Sequence, residues 1–424
     1  MTGNIIPLGS SNFKVGYVIL PSSITLMNFS IDTIPFGIFT FGESKKCLAT
    51  AIDDKVVDLS YLANEGLFDE FDIPRPVFSQ PYLNDFIALG KEKTNAVRKL
   101  LQELLKKPSP EVMEAYFYYK QVDLHMPVKV GDYTDFYSSE QHAYNVGVMF
   151  RDPQNALLPN WKHLPVGYHG RASSIRVSGT PVHRPKGQIK PPQEERPVFG
   201  PTRKLDFELE MAAVIGKANP LGQAVSVEEA EEYIFGFQLF NDWSARDIQA
   251  WEYVPLGPFL AKNFFSSVSP WVIPLEALEP FKVPALPQDP EVLPYLQGRK
   301  LEQFDVDLEV WIKTAEGEEV KVNASNFKHM YWTVAQQIAH HTVGGCNLEV
   351  GDLLASGTIS GKEAESFGSM LELSWGGQRP LLFPSGAARS FIEDGDTVII
   401  RGKAEKSGKR VDFGSVENTV LPAL

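Results

Sequence analysis

The chain has 424 residues, 43% of them hydrophobic and 22% charged, which excludes a disordered polypeptide and leaves room for two or three ordinary domains with a sizeable core. Its formal net charge of −13, with no long block of Lys or Arg, argues against a nucleic-acid partner. The two cysteines, Cys47 and Cys346, make neither a metal-ligand spacing nor a disulfide framework, and such sparing use suits a reducing compartment.

In chain order, residues 1–26 have no clear pattern and read as an N-terminal extension. Their one apolar run, Val15 to Leu20, is cut by Pro21 and is too short to span a membrane; no later stretch reaches the spanning length of about 18 apolar residues. From Phe29 the sequence alternates and breaks at turns, predicting short strands with a hairpin tip at Asp53–Asp54. Residues 91–107 place Val97, Leu100, Leu101, Leu104 and Leu105 on one helical stripe, and "PSP" at 108–110 stops it. A boundary near 120–128 divides a unit over 27–125 from a β-rich region over 126–424. In that region "SSIRVSGTPV", "LDFELEMAAVIG", "FDVDLEVWIKT" and "DTVIIRGKA" predict strands. Helices are expected at 226–234, after the capping pair Ser226 and Glu229, and at 333–341 after Thr333. The Pro-rich tract 280–294 reads as a surface loop.

Two of the strands carry acids at alternate positions. In "DFELEMA" Asp206, Glu208 and Glu210 share a face, and in "FDVDLEV" Asp305, Asp307 and Glu309 do. Glutamates at i and i+2, about 6.6 Å apart along a strand, can converge on one hard cation whose oxygen ligands lie about 2.0–2.6 Å away. Alternation alone does not say which of the two faces holds something. Further acids are on offer from "GDYTDFYSSEQH" (Asp135) and "FNDWSARDIQAWEY" (Asp242). The first also brings His142, and the second Arg246, Asp247 and Gln249, with Lys262 soon after.

These segments, with "NALLPNW", "HLPVGYHGRASSI", "WEYVPLGPFLAK", "NFKHMYWT" and "LLASGTISG" followed by "ESFGSMLELSW", resemble the fumarylacetoacetase family in the same order from about residue 29 to the end. Residues 1–26 look longer than the family start, with Met27 an alternative beginning. The resemblance implies a mainly β (α+β) protein: a small N-terminal SH3-like β-barrel domain and a larger C-terminal mixed β-sandwich roll. It implies hydrolysis of a carbon–carbon bond in 4-fumarylacetoacetate, the last step of tyrosine catabolism, by a cytoplasmic homodimer. Asp135, Glu208, Glu210 and Asp242 would then ligate Ca²⁺ or Mg²⁺, with Lys262 and Arg246 compensating the excess negative charge. His142 would be the general base and Glu372 its orienting partner, with Lys262, Arg246 and Gln249 stabilising developing charge. Tyr137, Arg151, Tyr168, Tyr253 and Thr358, together with Arg246 and Gln249, would grip a diketo-acid substrate. His340 and His341 are expected to cap or pack, and neither His163 nor His169 is assigned a proton-transfer role. The alternatives are an acylpyruvate hydrolase or oxaloacetate decarboxylase of the same superfamily, distinguished by activity on oxaloacetate, and a non-catalytic metal-binding protein, whose signature would be a broken site.

Overall fold

The computed structural model of the chain describes residues 28–424, so the expected extension over 1–26, the apolar run within it and Met27 lie outside the described residues. The fold is mainly β with some helices. A mixed sheet of 13 strands runs, along its main path, from Tyr116–Tyr118 through Lys55–Asp58, Cys47–Ile52, Phe36–Thr40, Trp271–Pro274, Ile234–Asp242, Leu209–Ile215, Leu353–Ala355 and Tyr133–Phe136 to Gly167–His169. A second sheet of five strands joins Glu319–Asn326, Asp307–Lys313, Thr397–Lys406, Lys409–Leu421 and Val182–His183.

The large sheet is covered on both faces where its central strands lie. Leu209, Met211, Ala213, Phe237 and Leu239 pack into one core with Leu308, Val310, Ile312, Ile400 and Phe413 of the second sheet. Ala212, Val214, Phe235 and Phe240 pack into another core with Phe36, Phe86, Val97 and Leu101. Every residue of Leu209–Ile215 and of Ile234–Asp242 is therefore buried, the pattern of a strand lying between two layers.

The N-terminal unit is an open ladder. Cys47–Ile52 and Lys55–Asp58 form a hairpin whose tip includes Asp53 at φ +50°, a turn conformation that Asp tolerates, as the sequence predicts. After Tyr116–Tyr118 a single 3-10 turn, Tyr119–Gln121, leads to Asp123–His125, which returns to Phe36–Thr40. No closed barrel forms among the described residues. Phe36–Thr40 also offers its edge to Trp271–Pro274, Phe36 facing Val272, and so extends the large sheet instead of closing a small one.

The helix Lys91–Lys106 lies where the stripe predicts, with Val97, Leu101 and Leu105 buried and Leu100 and Leu104 packed at their flank. Each fully buried Val or Leu contributes about 1.5–3 kcal/mol. Helix Val334–Val343 follows a capping box of Thr333 and Gln336. Two expectations fail. Ser226 and Glu229 do bond as a cap, but the chain makes only turns and the 3-10 turn Ala230–Tyr233, because Ile234 is already drawn into the central strand Ile234–Asp242. The tract 280–294 is not all loop: Lys282–Pro284 pairs with Glu302–Phe304, and Val292 is buried against the cluster of Trp161, Tyr331 and Trp332. Among the described residues no helix is long and apolar enough to cross a membrane.

Candidate active site and metal centre

Strand register brings the acids together. Asp135 faces Ala355 on the parallel neighbour, Ala355 faces Ala212, and Glu210, two residues from Ala212, faces Phe240, two residues from Asp242. A period of two then places Asp135, Glu210 and Asp242 on one face of the sheet. Glu208, in an isolated bridge to Ser369, joins them at the strand's beginning. One oxygen from each of Asp135, Glu208, Glu210 and Asp242 lies within 4.8 Å of all the others, and all four residues are buried.

Two cations touch this cluster. Lys262 Nζ donates to Glu208 Oε2 and, at 2.7 Å, to Asp242 Oδ2. Arg246 Nη2 lies 2.8 Å from Glu208 Oε1, while its Nε donates to Asp206 Oδ2 at 2.8 Å. Asp242 also accepts from the Tyr168 hydroxyl at 2.7 Å and the Ser266 hydroxyl at 2.8 Å. Asp206 does not join the acids, nor does it face water. The ladder breaks after it: Leu205–Asp206 pairs with Ser244–Ala245, and the carboxylate accepts from Arg246 and from the N–H groups of Met370 and Leu371.

The charges are unevenly satisfied. Burial pushes the Glu210 carboxyl well above the usual range, and Asp135, Glu208 and Asp242 push the same way. Burial and Asp242 likewise raise Asp135. At Glu208 burial is outweighed by Lys262 and Arg246, which hold it below the usual range. Asp135 Oδ1 and Glu210 Oε1 are buried with no hydrogen-bond partner among the described residues, whereas Glu210 Oε2 accepts from Gly357 N at 3.0 Å. Gly357 is required there: its φ is +78°, and a Cβ would lie 2.3 Å from the Phe136 carbonyl oxygen. Four carboxylates against two shared cations leave negative charge that one dication would neutralise, and an all-oxygen donor set with two orphaned oxygens fits a hard divalent ion.

A second constellation is built on helix Glu140–Phe150, whose N-cap Ser139 accepts from His142 N at 3.2 Å. His142 Nδ1 meets Glu372 Oε2 at 2.7 Å, both residues being buried. Asn145, one turn beyond His142, donates to Glu372 Oε1 at 2.8 Å, and the hydroxyls of Ser360 and Ser369 each donate to Oε2 at 2.9 Å. Burial alone would raise the Glu372 carboxyl; the His142 ring, Asn145 and Ser369 lower it. A carboxylate bonded to Nδ1 leaves Nε2 as the nitrogen open to a proton.

The remaining expected residues are less closely gathered. The Tyr137 ring stands edge-on to His142, centroids 5.3 Å apart. Gln249 accepts from Arg246 Nη1 at 3.2 Å, and Thr358 is buried two residues before Ser360. Arg151 donates to the Ala156 carbonyl at 2.6 Å and bonds none of the four acids. Tyr253, just past helix Arg246–Glu252, is 48% exposed and bonds none of them either. His340 and His341 bond Tyr295 and Thr134, in keeping with the packing role expected of them. Asn145, Ser360, Ser369 and Ser266 went unread in the sequence. Only Asn145 carried a signal, its i+3 spacing from His142 on one helix face.

Residues 32–127 match the family described as fumarylacetoacetase N-terminal, and residues 133–421 the family described as fumarylacetoacetate (FAA) hydrolase C-terminal. Fumarylacetoacetase of Homo sapiens is 50% identical over 407 residues, covering 94% of this chain and 97% of its own. That of Dictyostelium discoideum is 50% identical over 410 residues (93% and 96%), and that of Arabidopsis thaliana 47% over 406 residues (93% and 96%). Among solved structures, a fumarylacetoacetate hydrolase from psychrophilic Exiguobacterium antarcticum shares the fold at a TM-score of 0.53 and 16% identity, covering 92% of this chain and 99% of its own. Matched along nearly its whole described length, the chain belongs to the fumarylacetoacetate hydrolase family.

Proposed function

We propose that the chain hydrolyses 4-fumarylacetoacetate to fumarate and acetoacetate, closing tyrosine breakdown, and that it does so with a divalent cation. The observation that carries this reading is the buried four-carboxylate cluster beside a buried His142–Glu372 pair, in a chain about half identical to curated fumarylacetoacetases over nearly its full length.

In this reading Asp135, Glu208, Glu210 and Asp242 hold Ca²⁺ or Mg²⁺, the hard cations that carboxylates favour. A cation bound there would supply positive charge able to polarise a carbonyl oxygen. His142 Nε2 takes a proton from the attacking water while Glu372 keeps Nδ1 protonated and stabilises the imidazolium. The hydroxyl adds to the carbonyl carbon next to the fumaroyl double bond. The carbon–carbon bond then breaks, its electron pair passing to the acetoacetate carbon, where the proton held by His142 is returned. Lys262, Arg246 and Gln249 carry the charge that develops on oxygen. Arg151, Tyr137, Tyr168, Tyr253 and Thr358 hold the substrate, Arg151 giving a dianion local positive charge in an acidic protein.

The two family matches end at residue 127 and begin at residue 133, close to the proposed division into units 27–125 and 126–424 after an extension over 1–26. A cytoplasmic homodimer completes the proposal, and sedimentation of the purified chain tests the dimer. The central test is removal of metal. Chelation, verified by elemental analysis, should abolish turnover without unfolding the protein, because the cluster sits on an already large core; readdition of Ca²⁺ or Mg²⁺ should restore it and identify the preferred ion. Turnover that survives verified removal defeats the reading.

A further inference from the structure

One polar group beside the cluster has no task in the scheme above. Tyr133 lies two residues before Asp135 on the strand Tyr133–Phe136, so both side chains rise from the same face. Its ring packs against Phe240, centroids 5.2 Å apart. Gly170 makes room for it: a Cβ there would lie 2.0 Å from Tyr133 Cδ1. The residue is 3% exposed, and its hydroxyl, within the field of Asp135, Asp242, Glu210 and Glu208, has no hydrogen-bond partner among the described residues.

A buried phenol that the protein leaves unpaired is destabilising, unless it bonds something from outside. Access is built in. Tyr133, Tyr168, Asp242 and Lys262 line a cavity of about 220 Å³ that extends past Arg171 and Asn263, and neither His142 nor Glu372 lines it. Hard dications keep waters beside their carboxylate ligands. A phenol is suited to such a water, since it accepts one hydrogen bond and can donate another to a carboxylate oxygen.

We propose that Tyr133 is a positioning residue of the cation centre: its hydroxyl holds a water carried by the divalent ion on the cavity side, and so sets how tightly the ion is held. This rests on the metal reading of the four carboxylates and extends it to a residue outside the ligand set. Groups that orient a metal's surroundings typically alter its affinity by about 10–100-fold.

The test compares the full chain, stripped by chelator, with Tyr133→Phe. Titration calorimetry with Ca²⁺ and with Mg²⁺ should show the variant binding about 10–100-fold more weakly, with the melting temperature of the stripped proteins nearly equal. Terbium luminescence lifetimes in H₂O and D₂O, measured on the parent alone, should count at least one water on the bound ion. Equal affinity in parent and variant overturns the inference and leaves the metal reading standing, and so does a terbium count of zero waters. A parent that binds no divalent cation overturns both.

Discussion

Two stretches of this chain carry three alternate acids each, and they meet opposite fates. In the stretch 205–215 both faces are covered, so Glu208 and Glu210 have no water to turn to and are met by Lys262, Arg246, Asp135 and Asp242. In the stretch 304–313 one face packs Leu308, Val310 and Ile312 inward, while the other stays half-open. There Asp305 pairs with Lys328 at 2.8 Å and Glu309 with Lys321 at 3.1 Å, all four side chains being at least 35% exposed. Such surface pairs contribute about 0–1 kcal/mol. Breaking a buried pair costs about 3–5 kcal/mol because a charge is stranded. The pattern names a face; the second layer of packing decides whether that face is a site.

The largest effect is expected at His142. His142→Ala should lower kcat by about 10²–10⁴-fold while bound metal stays at the parent level, because no ligand is lost. Glu372→Gln should hurt similarly, and the double variant should be little worse than His142→Ala alone, as groups acting together are non-additive. A normal kcat in His142→Ala, or losses that simply multiply, removes the pair from the mechanism.

Next comes cation affinity. Glu208→Gln should weaken Ca²⁺ or Mg²⁺ binding by about tenfold or more, a lost ligand costing at least what a lost outer partner does. Equal affinities in calorimetry for Glu208→Gln and the parent would dissolve the distinction between the two strands. A pH series sharpens it further. Because the Glu372 carboxyl is lowered in the folded protein, its stabilisation is present above the unfolded Glu value of about 4.3 and is lost as pH falls through the lower folded value. The denaturation gap between parent and Glu372→Gln should therefore be widest near neutrality and close below about pH 4. A gap that widens on acidification contradicts this. The smallest effect belongs to the control strand: Asp307→Asn should leave metal binding unchanged and stability within about 0.5 kcal/mol, read from urea melts.

Much of this was legible because the relevant signals are local. The helix Lys91–Lys106 announces itself by its stripe, the hairpin by its paired aspartates, and the helix after Thr333 by its capping box. The four converging acids and the His142–Glu372 pair could be named because whole motifs resemble one family; nothing in their spacing predicts that Asp135 meets Glu210 across the intervening strand Leu353–Ala355. Asp206 shows the limit. Its alternation with Glu208 is perfect, but the break in the ladder sends it to Arg246 and two backbone N–H groups instead. Ser360 and Ser369 were invisible for a plainer reason: serines abound in turns, and their hydroxyls matter only where the fold brings Glu372 to them. The barrel expected at the N-terminus failed on a pairing between residues more than two hundred positions apart, Phe36 with Val272.

That same pairing has a consequence for any attempt to cut the chain in two. Trp271–Pro274 lies between Phe36–Thr40 and Ile234–Asp242, with Trp271 fully buried and its ring 5.6 Å from that of Phe29. A fragment beginning at residue 126 would therefore expose a bare, apolar strand edge carrying a tryptophan, an invitation to edge-to-edge association. Residues 28–125 thus shield from self-templating an edge that a fragment lacking them would leave bare.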